Sequence, residues 1–219
     1  METPDIKDLA ALLAAAMPRL DEREQHLALT LIRQLALGDP VSVEQLARAA
    51  DTPRAEVAVA LDRLPMESRD EQQRVIAFMG LSVVETGEHR IHLDGRTLSA
   101  WCAWDTLFLP ELIGATAQVS SRCPTTGSQI SLSVTPDGPI DLQPAEAVVS
   151  FLVPDGEFDA TVIQSFCHFV HFFASPTAAA TWTAEHPDTF TLSVRDAYEL
   201  GQLTNDAVMS PTTANGARR

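Results

Sequence analysis

Apolar residues recur at helical spacing through the first third of the chain and at alternating positions through its middle, and this change of period predicts helices followed by a sheet. Residues 5–17 and 21–37 read as amphipathic helices. In the second, Leu27, Leu31, Ile32 and Leu35 share a face, and Gly38-Asp39-Pro40 stops the run. Ser42 then caps a third helix, with Gln45 completing a capping box and Leu46, Ala47 and Ala50 facing inward. After the Asp51-Thr52-Pro53 turn, Pro53 suits a first helical position and Ala55–Leu64 forms a fourth helix. A strand over Val75–Val84, a turn at Glu85-Thr86-Gly87-Glu88 and a return strand His89–Leu93 complete a winged-helix-like plan.

The segment Ser99–Gly114, SAWCAWDTLFLPELIG, is too apolar and aromatic for an exposed helix. Leu93-Asp94-Gly95-Arg96 makes the preceding turn, Thr97 or Ser99 can cap the helix, Pro110 interrupts it and Gly114 ends it. Strands follow at 116–120, 128–135 and 147–153, separated by turns through Cys123-Pro124-Thr125-Thr126-Gly127 and Pro136-Asp137-Gly138-Pro139. Ile163–Ala174, IQSFCHFVHFFA, is a second unusual segment: read as a strand, it sets Cys167, Phe169 and His171 on one face and His168 on the other. Helices over 178–186 and 196–209 flank a last strand at 189–194. The expected class is α+β: a helical, winged-helix-like domain over 1–80, an antiparallel-sheet catalytic domain flanked by helices over 81–210, and a loose tail over 211–219.

Charge narrows the function. The net charge of −15 divides into −6 over residues 1–100 (11 basic, 17 acidic) and −9 over 101–219 (4 basic, 13 acidic). A DNA reader neutralising several phosphates needs a basic stripe. The helix that would enter a groove instead offers Arg54 and Arg63 against Glu56 and Asp62. The helix-turn-helix pattern is therefore expected to be a scaffold without a nucleic-acid partner. No run approaches 18 apolar residues, so no membrane span is expected. Three cysteines leave no complete disulfide framework, which points to a reducing cytoplasm.

The candidate chemistry lies in the thiols. Cys102 and Asp105 stand three apart, so on a helix the thiol and carboxyl share a face. A core cysteine beside a capping aspartate satisfies the same pattern. Cys102, Cys123 and Cys167 are isolated, without the paired spacing of structural zinc. No protease signature accompanies them, and His168 and His171 read equally as satisfied core or edge residues. Two lone thiols in aromatic surroundings suit one soft cation carrying an organic group, with a nearby carboxyl to move protons.

Three motifs, Ala100-Trp101-Cys102-Ala103-Trp104-Asp105-Thr106-Leu107, Ser120-Ser121-Arg122-Cys123 and Gln164-Ser165-Phe166-Cys167-His168 with His171-Phe172-Phe173-Ala174-Ser175, occur in an order that resembles the organomercurial lyase (alkylmercury lyase) family. The resemblance runs from Gly38-Asp39-Pro40 to Leu200-Gly201-Gln202. It implies protonolysis of a carbon–mercury bond to a hydrocarbon and Hg(II), with Cys102 and Cys167 as mercury-binding thiols, Asp105 as the proton-handling carboxylate and Cys123 as structural. It further implies no required cofactor, with small thiols to release Hg(II) and mercuric reductase as its acceptor. Some members carry a second thiol directly after the later catalytic cysteine, where this chain has His168. The competing readings are an organomercurial- or soft-metal-sensing regulator and a thiol-based metal-binding protein without turnover.

Overall fold

The computed structural model describes residues 4–209. Four helices open it. In α1 (Ile6–Ala16) the Asp5 carboxylate accepts from the backbone N–H groups of Lys7 and Asp8. The second helix, α2 (Glu22–Leu35), starts with an Asp21/Glu24 capping box, and α3 (Val43–Ala49) with the expected Ser42/Gln45 box. These side chains satisfy N–H groups that the first helical turn leaves without partners. Pro53 takes the N-cap position of α4 (Arg54–Leu61), one place earlier than expected.

The expected strand over 75–84 is two strands, β2 (Val75–Phe78) and β3 (Leu81–Ser82), folded back at Met79-Gly80. Gly80 has φ +92, a conformation that glycine alone adopts without strain. With β1 (Glu67–Arg69), β4 (His89–Leu93), β5 (Arg96–Ala100), β6 (Ala117–Arg122), β7 (Gln129–Thr135) and β8 (Gly138–Gln143), they form an antiparallel sheet of order β1-β2-β3-β5-β4-β6-β7-β8. The 80/81 division between the two expected domains thus falls in a turn between paired strands of one sheet.

Two expectations, one at β5 and one at the helix after it, are overturned. Thr97 and Ser99 do not cap a helix, because β5 pairs with β4 on one side and β3 on the other, which commits its backbone to the sheet. Nor does Pro110 interrupt α5 (Asp105–Ile113): it sits inside the helix, which ends at Gly114 with φ +80. Pro110 forgoes its bond to the preceding turn and crowds the carbonyl one turn back, yet the helix runs through it. The edge strand β8 gave no strand signal because it begins with Gly138-Pro139, which reads as a turn, and half of it is exposed.

A second sheet, β10-β9-β11, consists of β9 (Val148–Leu152) between β10 (Phe172–Phe173) and β11 (Thr189–Ser193). Ile163–Ala174 is not one strand. It comprises a helical turn, α6 (Val162–Ser165), a 3-10 turn over Cys167–Phe169, and β10. The helices α7 (Pro176–Thr183) and α8 (Val194–Met209) complete the described chain, with α8 packed along α1 and α5. The tail lies outside the described residues. Among those described, no helix is long and apolar enough to cross a membrane.

Candidate active site

The junction of β5 and α5 builds half of the site. Cys102 lies in the turn before the helix rather than on it, and Asp105 is the first helical residue. The shared helical face expected for the pair is therefore replaced by a tighter link: the Cys102 backbone N–H donates to Asp105 Oδ2 at 2.7 Å. Neighbouring bonds pin the turn. Trp101 N–H donates to the Gly80 carbonyl at 2.9 Å, Ala103 N–H to the Val170 carbonyl at 3.0 Å, and the Thr106 hydroxyl to the Ala103 carbonyl at 2.7 Å.

The bond from Ala103 to Val170 ties this turn to the segment carrying Cys167. Although distant in sequence, Cys102 Sγ, Cys167 Sγ and a carboxylate oxygen of Asp105 all lie within 4.8 Å of one another, and all three residues are buried. They are the set that could hold a metal among the described residues. Cys123 is outside it. Its peptide closes the loop between β6 and β7 through Cys123 N–H to the Ser128 carbonyl and Gly127 N–H to the Cys123 carbonyl. His168 and His171 are also outside the set: His168 is exposed, and His171 is half-buried against His89 and Trp182.

Burial sets the electrostatics. It pushes the Asp105 carboxyl up to about 7, against hydrogen bonds from Cys102 and the Trp101 backbone that favour the ionised form. Burial, the Cys167 thiol and the Asp105 charge drive Cys102 well above the ordinary thiol range. For Cys167, hydrogen bonding to Cys102 favours the thiolate, but burial and the Asp105 charge leave it raised. The thiols thus rest protonated beside a carboxyl poised near neutrality, an arrangement suited to passing a proton either way. Cys123 behaves oppositely: burial works to raise it, but the Thr126 hydroxyl and the backbone N–H groups of Ala174, Thr126 and Thr125 hold it below the ordinary thiol value.

A small cavity of about 20 Å³ adjoins Asp105 and Cys167, walled by Trp101, Trp104, Phe158, Phe166 and the thioethers of Met17, Met66 and Met79. Trp104 is fixed by its Nε1 bond to the Ala197 carbonyl at 3.1 Å and by Phe108, Phe151 and Phe166. The sequence reading missed Gly80 and the three methionines. A Cβ on Gly80 would stand 2.5 Å from the Asp105 carboxyl, so only glycine lets that carboxyl occupy its place. A lone glycine within an apolar strand pattern is the signal that pointed to such close approach. Size is no guide to the site: a larger cleft of about 890 Å³ between the starts of α2 and α4 holds Asp21, Glu56 and Arg63 but no thiol.

Two thiols and a near-neutral acid on a mixed α+β frame make a set able to hold a soft metal ion beside a proton-carrying group. Comparison with known proteins specifies it. Residues 81–205 match the family model described as alkylmercury lyase. The chain is 46% identical to the alkylmercury lyase of Staphylococcus epidermidis over 78% of each chain, and 43% identical to that of Pseudomonas putida over 87% of this chain and 88% of the other. A crystal structure described as the mercury-bound form of MerB2 superposes with a TM-score of 0.73 at 27% identity, covering 93% of this chain and 98% of that one. The chain belongs to the alkylmercury lyase family, and its activity is cleavage of the carbon–mercury bond of organomercurials.

Proposed function

We propose that Cys102, Cys167 and Asp105 carry that cleavage, with substrate mercury bound between the two sulfurs and the carboxyl moving the proton. The single observation supporting this is the convergence of their ligand atoms within 4.8 Å in a buried site. In a substrate R–Hg–SR′, Cys102 gives its proton to ionised Asp105 and its sulfur binds mercury, displacing R′S⁻, which leaves as R′SH. Cys167 adds as the second sulfur and increases electron density at the carbon. Protonated Asp105 then delivers its proton to that carbon as the Hg–C bond breaks, while the Cys167 proton balances the departing thiolate. The products are RH, R′SH and Hg(II) held as Cys102–S–Hg–S–Cys167, with no external electrons consumed. A carboxyl near 7 serves both as base and as acid in this cycle.

In this reading residues 81–210 form the catalytic unit. The winged-helix-like N-terminal part, residues 1–80, has no DNA role and closes the apolar cavity through Met17, Met66 and Met79. The bond from Phe158 N–H to the Ala16 carbonyl, 2.7 Å, holds the end of α1 against that wall. Cys123 is structural, anchoring its loop. No cofactor is required, small thiols and mercuric reductase receive Hg(II), and the free thiols suit a cytoplasmic setting. The test is to mix the protein with phenylmercury and excess thiol and measure benzene by gas chromatography. Benzene at one equivalent or more per chain supports the assignment when Cys102→Ala and Cys167→Ala each abolish it; full release by either variant refutes the two-sulfur scheme.

A further inference from the structure

The apolar cavity is matched by a second opening beside the same residue, Cys167. A groove of about 450 Å³ shares Trp101 and Cys167 with that cavity, but not Asp105, and Cys102 lines neither. Its chemistry is different: Thr86, Cys123, His168 and His171 stand where the cavity has methionine and phenylalanine, and Ile163 stands at the rim. The Thr86 hydroxyl, beside this groove, is buried without a hydrogen-bond partner. His171 Nε2 lies 2.7 Å from the His168 carbonyl. A carbonyl only accepts, so Nε2 carries the proton and Nδ1 of the neutral ring is left as an acceptor.

We propose that this groove is the port through which a small-molecule thiol reaches the mercury–dithiolate product and carries Hg(II) away, attacking from the Cys167 side. The proposal rests on the reading of Cys102 and Cys167 as mercury ligands. The first thiol forms R′S–Hg–S–Cys102 and frees Cys167 as its thiol; a second forms R′S–Hg–SR′ and frees Cys102. Each incoming S–H proton ends on the cysteine that departs, and no atom changes oxidation state. His171 accepts the incoming thiol's proton and returns it to Cys167. The two openings divide the labour physically. Carbon is protonated and expelled in a dry apolar chamber, whereas a thiol that must give up its proton arrives through a polar groove. The groove volume lies within the range of small-molecule sites.

The experiment separates chemistry from product release. The protein takes one equivalent of phenylmercury without excess thiol, giving a benzene burst, and the loaded protein is then mixed with 2-mercaptoethanol while loss of mercury–thiolate absorbance is followed. Ile163→Trp, at a side chain 39% exposed, narrows the port and is expected to slow Hg(II) loss about tenfold or more with the burst intact. Equal slowing of burst and release, or of neither, overturns the port. Absence of the wild-type burst instead refutes the underlying mercury assignment. Independently of turnover, limiting N-ethylmaleimide on the mercury-free protein, read by mass spectrometry, labels Cys167 before Cys102, and Ile163→Trp protects Cys167. Labelling of Cys102 first also overturns the proposal.

Discussion

Cys102 and Cys167 reach the same point from segments of opposite character. The first lies in a turn bonded to Gly80, Val170 and Asp105 and followed by Ala103, Trp104 and Thr106, each at most 2% exposed. The second follows a single helical turn, at Phe166 with φ −133 and ψ −61, and is flanked by buried Phe166 and exposed His168. Cys102 is fully buried with its own N–H bonded to Asp105, whereas Cys167 opens a 3-10 turn, is 5% exposed and lines two openings. The contrast points to a division between a fixed anchor and an accessible arm. In the proposed scheme the product held by two sulfurs opens one sulfur at a time, and Cys167 yields first.

The strongest way to break the comparison is to remove each sulfur. Cys102→Ala and Cys167→Ala are each expected to lower steady-state hydrocarbon release by about a thousandfold or more, measured by gas chromatography. The variants should differ in what they still bind: the protein keeping Cys102 retains one mercury through dialysis better than the one keeping Cys167. Reversed retention would remove the anchor–arm distinction.

Asp105→Asn comes next. It keeps both sulfurs and the hydrogen-bond acceptor but cannot deliver a proton, so benzene release falls by about a hundredfold to ten-thousandfold while phenylmercury remains bound. Bound phenylmercury is counted by mass spectrometry of the intact complex. Gly80→Ala sharpens the same point from outside the site. Its Cβ would meet the Asp105 carboxyl at 2.5 Å, and φ +92 adds strain. The expected result is a roughly tenfold to hundredfold lower rate of benzene release with phenylmercury binding retained, plus about 1 kcal/mol lower stability by denaturant titration.

The smallest effect is the pH dependence of stability. Burial raises the folded Asp105 carboxyl to about 7, above its ordinary value near ~4, so between these limits the folded state binds more protons than the unfolded one. Stability from this residue is full below pH ~4 and is lost as pH rises through about 7. Thermal melts from pH 5 to 9 should therefore fall more steeply for the wild type than for Asp105→Asn. Parallel curves would show that Asp105 ionises as readily in the folded state as in the unfolded one.

Local signals carried much of the fold. The Ser42/Gln45 capping box, the Gly114 helix stop and the alternating burial of β7 all arise from neighbours within a few residues, where composition is decisive. Failures cluster where tertiary pairing overrides local preference. Residues 96–100 carry cap-forming Thr97 and Ser99, yet two flanking strands claim their backbone. Ile163–Ala174 has the composition of a strand, but only Phe172-Phe173 finds a partner, in β9. Residue identity and motif order were thus enough to nominate Cys102, Asp105, Cys167 and the family's chemistry.

The tertiary structure alone decided that the two sulfurs share one site, that Gly80 makes room for the carboxyl, and that Cys167 faces two different openings. The physical reason is range. Capping, periodicity and turn chemistry act over a few residues and are written in the chain, whereas burial, which lifts Asp105 to about 7 and keeps the thiols protonated, exists only once distant segments exclude water together.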